Sequence, residues 1–430
     1  MTDVTDVERA LARLDRDHRA RLLSLLVMSL RRFDLAEDAL QDAFEAAARR
    51  WPECGVPDNP PAWVLTTARR RAIDRIRTGA AEDRRLPLLI VDGRRAGVDS
   101  VDPAALAHTE GPLADERLRM LFACAHPALA PHAQVAMILR FVNGLAVSRI
   151  ASLLLVPDST VAARITRAKH RIAASGIPVV RPSSRTVEDR LDSVLTALYL
   201  AFTEGYAQPG GDARDGWGLA DEAIRCTGLV HDLLHGHPRV AALLALEMLH
   251  HARRDARFSV TGRPISLEHQ DRDLWHQEEI ERALALIAGA PDDDEPYVLQ
   301  ARIAAAHCTA PRSAATDWSA IASLYARLEH LTGSPVVRLN RAVAVAEVAG
   351  PNTALEMIDG LEALLPRSHR VPTVRAELLV RLDDHAGALE ALDRALALAR
   401  ADGEQQHLAR RRAEIAASLV GSSAADEDRP

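Results

Sequence analysis

Apolar residues in this chain return every three or four positions, segment after segment, and that period admits helices and little else. Leu11, Leu14, Leu22, Leu25 and Leu26 follow it near the start, and Leu40, Phe44 and Ala47 share one face of a second segment, Leu35–Arg50. The apolar stock suits the pattern. Hydrophobic residues make up 48% of the 430 and aromatics only 3%, so cores must be built from Leu, Ala and Val. Ala and Leu are strong helix formers, and the expected fold class is all-α, helix packed on helix. At about 150 residues per domain, the length implies roughly two to four domains.

Breaks in the period mark the boundaries. Trp51–Pro61 holds four prolines and one glycine and reads as a loop. A third helix is expected over Ala62–Arg77, its second half carrying Arg69, Arg70, Arg71, Arg75 and Arg77. From Gly79 to Pro112, acidic, Gly and Pro residues replace the pattern, which reads as an extended linker. Helices resume at Leu113, and Ile177–Arg185, with two prolines, ends that domain. The expected organisation is 7–78, a linker 79–112, 113–177, a long helical part 186–420 and a disordered tail 421–430.

Net charge is −7, which taken alone argues against nucleic acid. It is unevenly spread. The first 180 residues carry 26 Lys and Arg against 22 Asp and Glu; the rest carry 27 against 38. A mildly basic front half can bind DNA, and an acidic back half cannot wrap it. No apolar run approaches the roughly 18 residues of a membrane span, and the acidic start, Asp3, Asp6 and Glu8, is unlike a signal peptide; the chain reads as cytoplasmic, with no membrane partner. Cys54, Cys124, Cys226 and Cys308 form no CxxC pair and read as small buried thiols.

The most informative segment is 147–173. A short helix, Val147–Leu154, buries Ile150 and Leu153, and a turn closes on Val156-Pro157-Asp158. Asp158 or Ser159 can cap the next helix, which runs to Ala173. Val161, Ile165, Ala168 and Ile172 form a narrow apolar stripe along it. Ser159, Ala163, Thr166, Arg167 and His170 lie opposite, flanked by Arg164 and Arg171 on one side and Ala162 and Lys169 on the other. No acid falls between Ser159 and Ala173. Two short helices, a tight turn and a basic exposed face make a helix-turn-helix, whose second helix fits a DNA major groove. A plain helical hairpin with a solvated charged face stays open on this segment alone.

Farther on, Arg341-Ala342 and Arg375-Ala376, Ala354-Leu355 and Ala388-Leu389, and Asp359 and Asp393 all repeat at an offset of 34. That is the period of tetratricopeptide repeats, paired helices that bury their faces only by stacking. Only two copies are clear.

These residues carry a resemblance. "VSRIASLLLVPDSTVAARITRAKHRI" (147–172) resembles the −35-reading region of sigma-70 family factors, especially the extracytoplasmic-function group. "DLAEDALQDAFEAAARRW" (34–51) is similar to that family's polymerase-binding helix, and "PAWVLTTARRRAIDRIR" (61–77) to its −10-reading helix. "AFTEGYAQP" (201–209), "EPYVLQARIAAAH" (295–307), "TDWSAIASLYARL" (316–328) and "SPVVRLNRAVAVAE" (334–347) are similar to a subgroup with a tetratricopeptide-like C-terminal domain. "DRDLWHQEEIERA" (271–283) departs from it, lacking an Asp after the Trp and a Gly near its end.

The resemblance implies an RNA polymerase sigma factor that directs promoter recognition and transcription initiation. Asp38, Gln41, Asp42 and Phe44 would face the clamp helices of the largest polymerase subunit, with the polymerase flap as a further partner. Asp58, Asn59 and Trp63 would offer hydrogen-bonding and stacking groups to an opened −10 strand, and Arg69, Arg70, Arg71 and Arg75 would hold phosphates. Ser159, Thr160, Ala162, Ala163, Arg164, Thr166, Arg167, His170 and Arg171 would read −35 DNA. Asp92, Asp99, Asp102 and Glu110 in the linker could mimic RNA charge, or the linker could be a plain tether. The C-terminal domain would regulate or complete the factor, through a contact with the sigma domains.

Other classes stay weaker. No P-loop, GxSxG or dinucleotide fingerprint is present, so no enzyme and no cofactor is expected. His231, His235 and His237 have a metal-like spacing, but HExxH's glutamate is missing and 17 histidines are scattered through the chain, so no metal is expected. A DNA-binding regulator independent of polymerase would not need the 34–51 segment; a tetratricopeptide scaffold would not need the arginines of 61–77.

Overall fold

The computed structural model describes residues 4–30, 32–83, 112–174, 187–207, 217–259, 263–290, 294–399 and 402–427. Among these the chain is helical throughout its regular structure, with no strand and a single isolated bridge, Phe258 to Pro264. It divides into two compact units, 1–236 and 237–430.

Unit 1 opens with α1 (Val4–Leu30), α2 (Phe33–Cys54) and α3 (Pro60–Asp83), which pack on one another. The core of this trio is Leu22, Leu26, Leu40, Ala43, Ala47, Trp51, Val64 and Ala68, all essentially out of water. Helix α2 does not stop where the prolines begin. It runs through Pro52 to Cys54, because a proline in a last turn removes one hydrogen bond while Trp51, 1% exposed, gains full burial. Gly55 then ends it at φ 82, its N–H reaching the Trp51 carbonyl at 2.9 Å. The expected loop therefore shrinks to 55–59. Asn59 starts α3, its side-chain oxygen accepting from the Ala62 N–H at 3.1 Å. Helix α3 also extends past the expected end, so Gly79–Asp83 is helix rather than linker. Asp92, Asp99, Asp102 and Glu110 lie outside the described residues.

The same unit continues with α4 (Pro112–Cys124), α5 (Pro131–Phe141), α6 (Val147–Leu153) and α7 (Asp158–Ala174). Then come α8 (Leu191–Ala207) and α9 (Gly218–Leu233), which pack on α5 and α4 respectively. Helices α8 and α9 approach so closely that a Cβ on Gly205 would stand 2.5 Å from the Ala220 backbone nitrogen. Polar bonds tie this pair to α4 and α6: Arg190 donates to the Phe122 carbonyl at 2.7 Å, Arg117 of α4 pairs with Glu222 at 3.0 Å, and Arg149 of α6 pairs with Glu204.

Unit 2 holds α10 (Pro238–His251), α11 (Gln277–Ala288), α12 (Pro296–Thr309) and α13 (Trp318–Thr332). Then follow α14 (Pro335–Ala349), α15 (Pro351–Ile358), α16 (Leu361–Leu364), α17 (Arg370–Val380), α18 (His385–Leu398) and α19 (Asp402–Glu427). The 34-residue offset is built as paired helices: α14 with α15, then α17 with α18. The repeated alanines Ala342, Ala376, Ala354 and Ala388 are all fully buried, where only a small side chain lets helices meet. Ion pairs run along the period itself. Glu347 pairs with Arg381 at 2.6 Å and Glu377 with Arg411 at 2.7 Å, each pair 34 residues apart.

Two expectations for this part are corrected. Residues 252–259 and 263–276 are not helical apart from short turns; Trp275 among them is 4% exposed, with Arg272 over its ring at 4.3 Å and Arg253 at 5.8 Å. The tail is not wholly irregular either, since α19 reaches Glu427.

Candidate functional site

The two helices and the tight turn expected over 147–173 are formed in unit 1. Helix α6 buries Ile150 and Ala151, and α7 buries Val161, Ile165, Ala168 and Ile172, the whole apolar stripe. Leu153 is only half-buried. Between the helices the chain turns at Leu155, whose φ of 54 is unusual for a leucine and whose side chain is 92% exposed. The first turn of α7 is closed by the Thr160 N–H on the Pro157 carbonyl at 2.9 Å, with Asp158 in that turn.

On α7, Ser159, Ala162, Ala163, Thr166, Arg167, His170 and Arg171 are exposed; Thr160 and Arg164 are half-buried. Small residues at the helix start and arginines beyond make a surface that can approach base edges while its flanks reach phosphates. The exposed face carries no acid after Asp158.

The other predicted residues lie in the α1–α3 trio, and here the structure joins two sets that the sequence kept apart. Arg75 of α3 pairs with Asp38 at 3.0 Å and Asp42 at 2.7 Å, both on α2. Asp38 and Gln41 are exposed and Asp42 half-buried. Phe44 is half-buried beneath the Arg19 guanidinium, 5.6 Å from its ring centre. Arg70 and Arg71 are exposed and Arg69 is half-buried. Asp58 is exposed, whereas Asn59 uses its carbonyl to cap α3. Trp63 meets Trp51 edge to face, ring centres 5.5 Å apart, so one edge is packed and the remainder is half-exposed.

Residues missed from the sequence tie the two sets of helices together. Glu37 of α2 accepts from Arg140 of α5 at 3.1 Å and from Lys169 of α7 at 2.8 Å. Phe33 packs edge-on against Phe141, ring centres 4.7 Å apart, and the Ser24 hydroxyl donates to the Phe141 carbonyl at 3.3 Å. Helical period could place Phe33 and Phe141 in cores. It carried no signal that they share one.

Cys124 and Cys226 are buried, and burial pushes both thiols well up; Cys308 is buried too, but Cys54 is exposed at the end of α2. Among the described residues no three His, Cys, Asp or Glu side chains are placed to share a metal ion, and no helix is long and apolar enough to cross a membrane.

Comparison with known proteins adds three matched segments and one relative. Residues 14–82 match sigma-70 region 2, 119–172 match sigma-70 region 4, and 190–291 match a family of unknown function, DUF6596. An uncharacterized protein of Rhizobium meliloti (strain 1021) is 40% identical over 404 residues, covering 93% of each chain.

Proposed function

We propose that this chain, which carries segments matching sigma-70 regions 2 and 4, is an RNA polymerase sigma factor of the extracytoplasmic-function type that recognises promoters. Regions 2 and 4 imply core RNA polymerase and promoter DNA as partners, and their families are non-enzymatic initiation factors. The observation that carries the finer reading is α7: a basic face on a fully buried stripe, held at the far side of a tight turn. In this reading α7 reads the −35 element through Thr166, Arg167 and His170, with Arg164 and Arg171 on phosphates. Region 2 supplies Asp38, Gln41, Asp42 and Phe44 to the polymerase clamp. Asp58, Trp63 and the exposed arginines of α3 take the −10 strand.

The helices after Arg185 regulate or complete the factor. What supports this is that α8 and α9 fold as part of unit 1, braced on α4–α6, rather than as an appendage. The paired helices at the 34-residue period support a tetratricopeptide-like array in unit 2.

The test is to mix the purified protein with core polymerase, recover bound duplexes from a randomised pool, and map transcript starts on them. A shared pair of motifs upstream of the starts is expected. Arg167→Ala should then weaken binding by about 1–3 kcal/mol at one motif position if it meets a base edge, and equally on all sequences if it meets phosphate. Failure to associate with core polymerase would remove the reading.

A further inference from the structure

The stretch between α10 and α11 gathers cations, and they are matched unevenly. Arg254 and His251 share Glu279 at 2.7 and 2.8 Å, and His276 meets Asp255 at 2.8 Å. Around Trp275 the arrangement differs. Arg272 lies over the indole at 4.3 Å and Arg253 at 5.8 Å, so one ring holds two guanidiniums close together. Arg272 donates to the carbonyls of His307 at 3.0 Å and Ala310 at 2.7 Å, at the end of α12. Arg253, 8% exposed, meets the His250 ring nitrogen at 3.0 Å. Carbonyls and an imidazole are neutral acceptors.

Two observations point from here to an anion. The first is charge. Burial lowers the Arg272 guanidinium, and Arg253 adds to this against the Cys308 thiol; burial, then Arg253 and Arg272, lower the His307 imidazole. Among the described residues no carboxylate is one of the charges acting on Arg272 or His307. Like charges held together away from water are costly until an opposite charge joins them. The second is a hydrogen bond not made. Trp275 is 4% exposed, and its indole N–H has no acceptor. That N–H belongs to the ring the two guanidiniums flank. One negatively charged acceptor answers both. Arg272, His307 and Trp318 are half-buried, and Trp318 meets His307 edge to face with ring centres 5.3 Å apart, so the cluster reaches the surface along that side.

We propose that Arg253, Arg272 and the Trp275 N–H bind a phosphate group, free or carried by a small molecule, with His307 at the rim. A phosphate dianion balances two guanidiniums and presents oxygens on several sides, so it can take a donor from each arginine and the N–H besides. A carboxylate offers two oxygens in one plane and suits a single fork. The three donors lie in the stretch that matches the family of unknown function, outside the helices proposed to meet polymerase and DNA. The site stands whether or not the promoter-recognition reading does.

Calorimetric titration of the full-length protein at constant ionic strength tests this, with inorganic phosphate and glycerol phosphate as probes and acetate as the contrast. One phosphate per chain with a Kd below about 1 mM is expected, and acetate should bind at least about tenfold more weakly. Equal affinity for the two phosphates would mean that the group alone is read. Tighter glycerol phosphate would mean that the site also takes the body carrying it, and tighter inorganic phosphate that it closes around the free ion. Trp275→Phe keeps a ring between the arginines and removes the N–H; it should weaken phosphate at least about fivefold. Arg272→Gln should weaken it further, and Arg263→Gln, at an exposed arginine of the same stretch, should leave it unchanged. Circular dichroism without phosphate shows whether each variant folds, and Trp275→Phe decides if Arg272→Gln does not. No saturable phosphate binding, acetate bound as tightly, or unchanged phosphate affinity in folded Trp275→Phe would each overturn the site.

Discussion

Unit 1 and the α14–α19 part of unit 2 are both made of packed helices, yet they are held together over very different distances along the chain. In α14–α19 the bonding partner is one repeat away: Glu347 with Arg381, Glu377 with Arg411. In unit 1 the partner of Glu37 is 132 residues on, and that of Ser24 is 117. A periodic array stacks neighbour on neighbour, so each layer is stabilised by the next one along the chain. A unit assembled from distant segments depends on contacts that close only when the whole of it is folded. The two parts thus differ in how far along the chain their stability is shared.

The comparison breaks most visibly under truncation. Ending the chain after Gly236 should leave a unit that unfolds in one cooperative step by circular dichroism. Ending it after Pro182 removes α8 and α9, with Arg190, Glu204 and Glu222, and should leave region 4 without that transition. Equal melting of the two truncations would mean α8 and α9 belong to the C-terminal array. Next in size is Phe141→Ala, which empties a fully buried site against Phe33 and should cost about 3–5 kcal/mol in urea unfolding of unit 1. A loss under about 1 kcal/mol would mean that contact is loose.

Acid should separate the units in the other direction. Burial, and then the nearby Arg253 and Arg272, push His307 down to about 4, and burial with Arg253 and Arg257 holds His250 well below its ordinary value. Unfolded histidines take up protons near pH 6.5, so between about 6.5 and 4 the unfolded chain binds more protons than the folded one. Stability of unit 2 should therefore fall as pH falls through that window, by about 2 kcal/mol for His307 after allowing for its partial exposure. Glu279 acts in the same sense: burial opposes its ionisation, but hydrogen bonds from His251 and Arg254 outweigh this and hold its carboxyl below the usual range. A shallower pH profile after His307→Gln would confirm its share, His250 and Glu279 supplying the remainder, and an unchanged slope would reassign it. The smallest effect belongs to the array. A double-mutant cycle on Glu377 and Arg411 should return about 0.5 kcal/mol, since both side chains are well over a quarter exposed. A coupling of 2 kcal/mol or more would mean the period is held by charge rather than by its buried alanines.

What was legible in the sequence was what repeats locally. The stripe Val161, Ile165, Ala168 and Ile172 is fully buried as its spacing predicted, and the 34-residue offset became real helix pairs. What was not legible came from contacts between distant segments. Pro52 signalled a loop, but Trp51 buried against Trp63 carries α2 past it. Residues 252–259 and 263–276 kept a helical look, yet Trp275 between two arginines holds them outside any α-helix, with His276 bonded to Asp255 at 2.8 Å. That His occupies the place where the resemblance led us to expect an Asp. Among the site residues, individual placements on α7 followed from helical geometry. The Arg75 pairs with Asp38 and Asp42, and the Glu37 bridge, needed the fold.

The helix pairs that recur at a 34-residue offset also bear on how the gene can change length. Loss or duplication of a whole period leaves helix pair stacked on helix pair, with the buried positions of Ala342 and Ala354 taken by Ala376 and Ala388, and only the number of layers differs. A step of another length breaks that register. Related chains should therefore vary in the α14–α19 part by whole periods or scarcely at all, whereas lengths between α3 and α4 are free to drift.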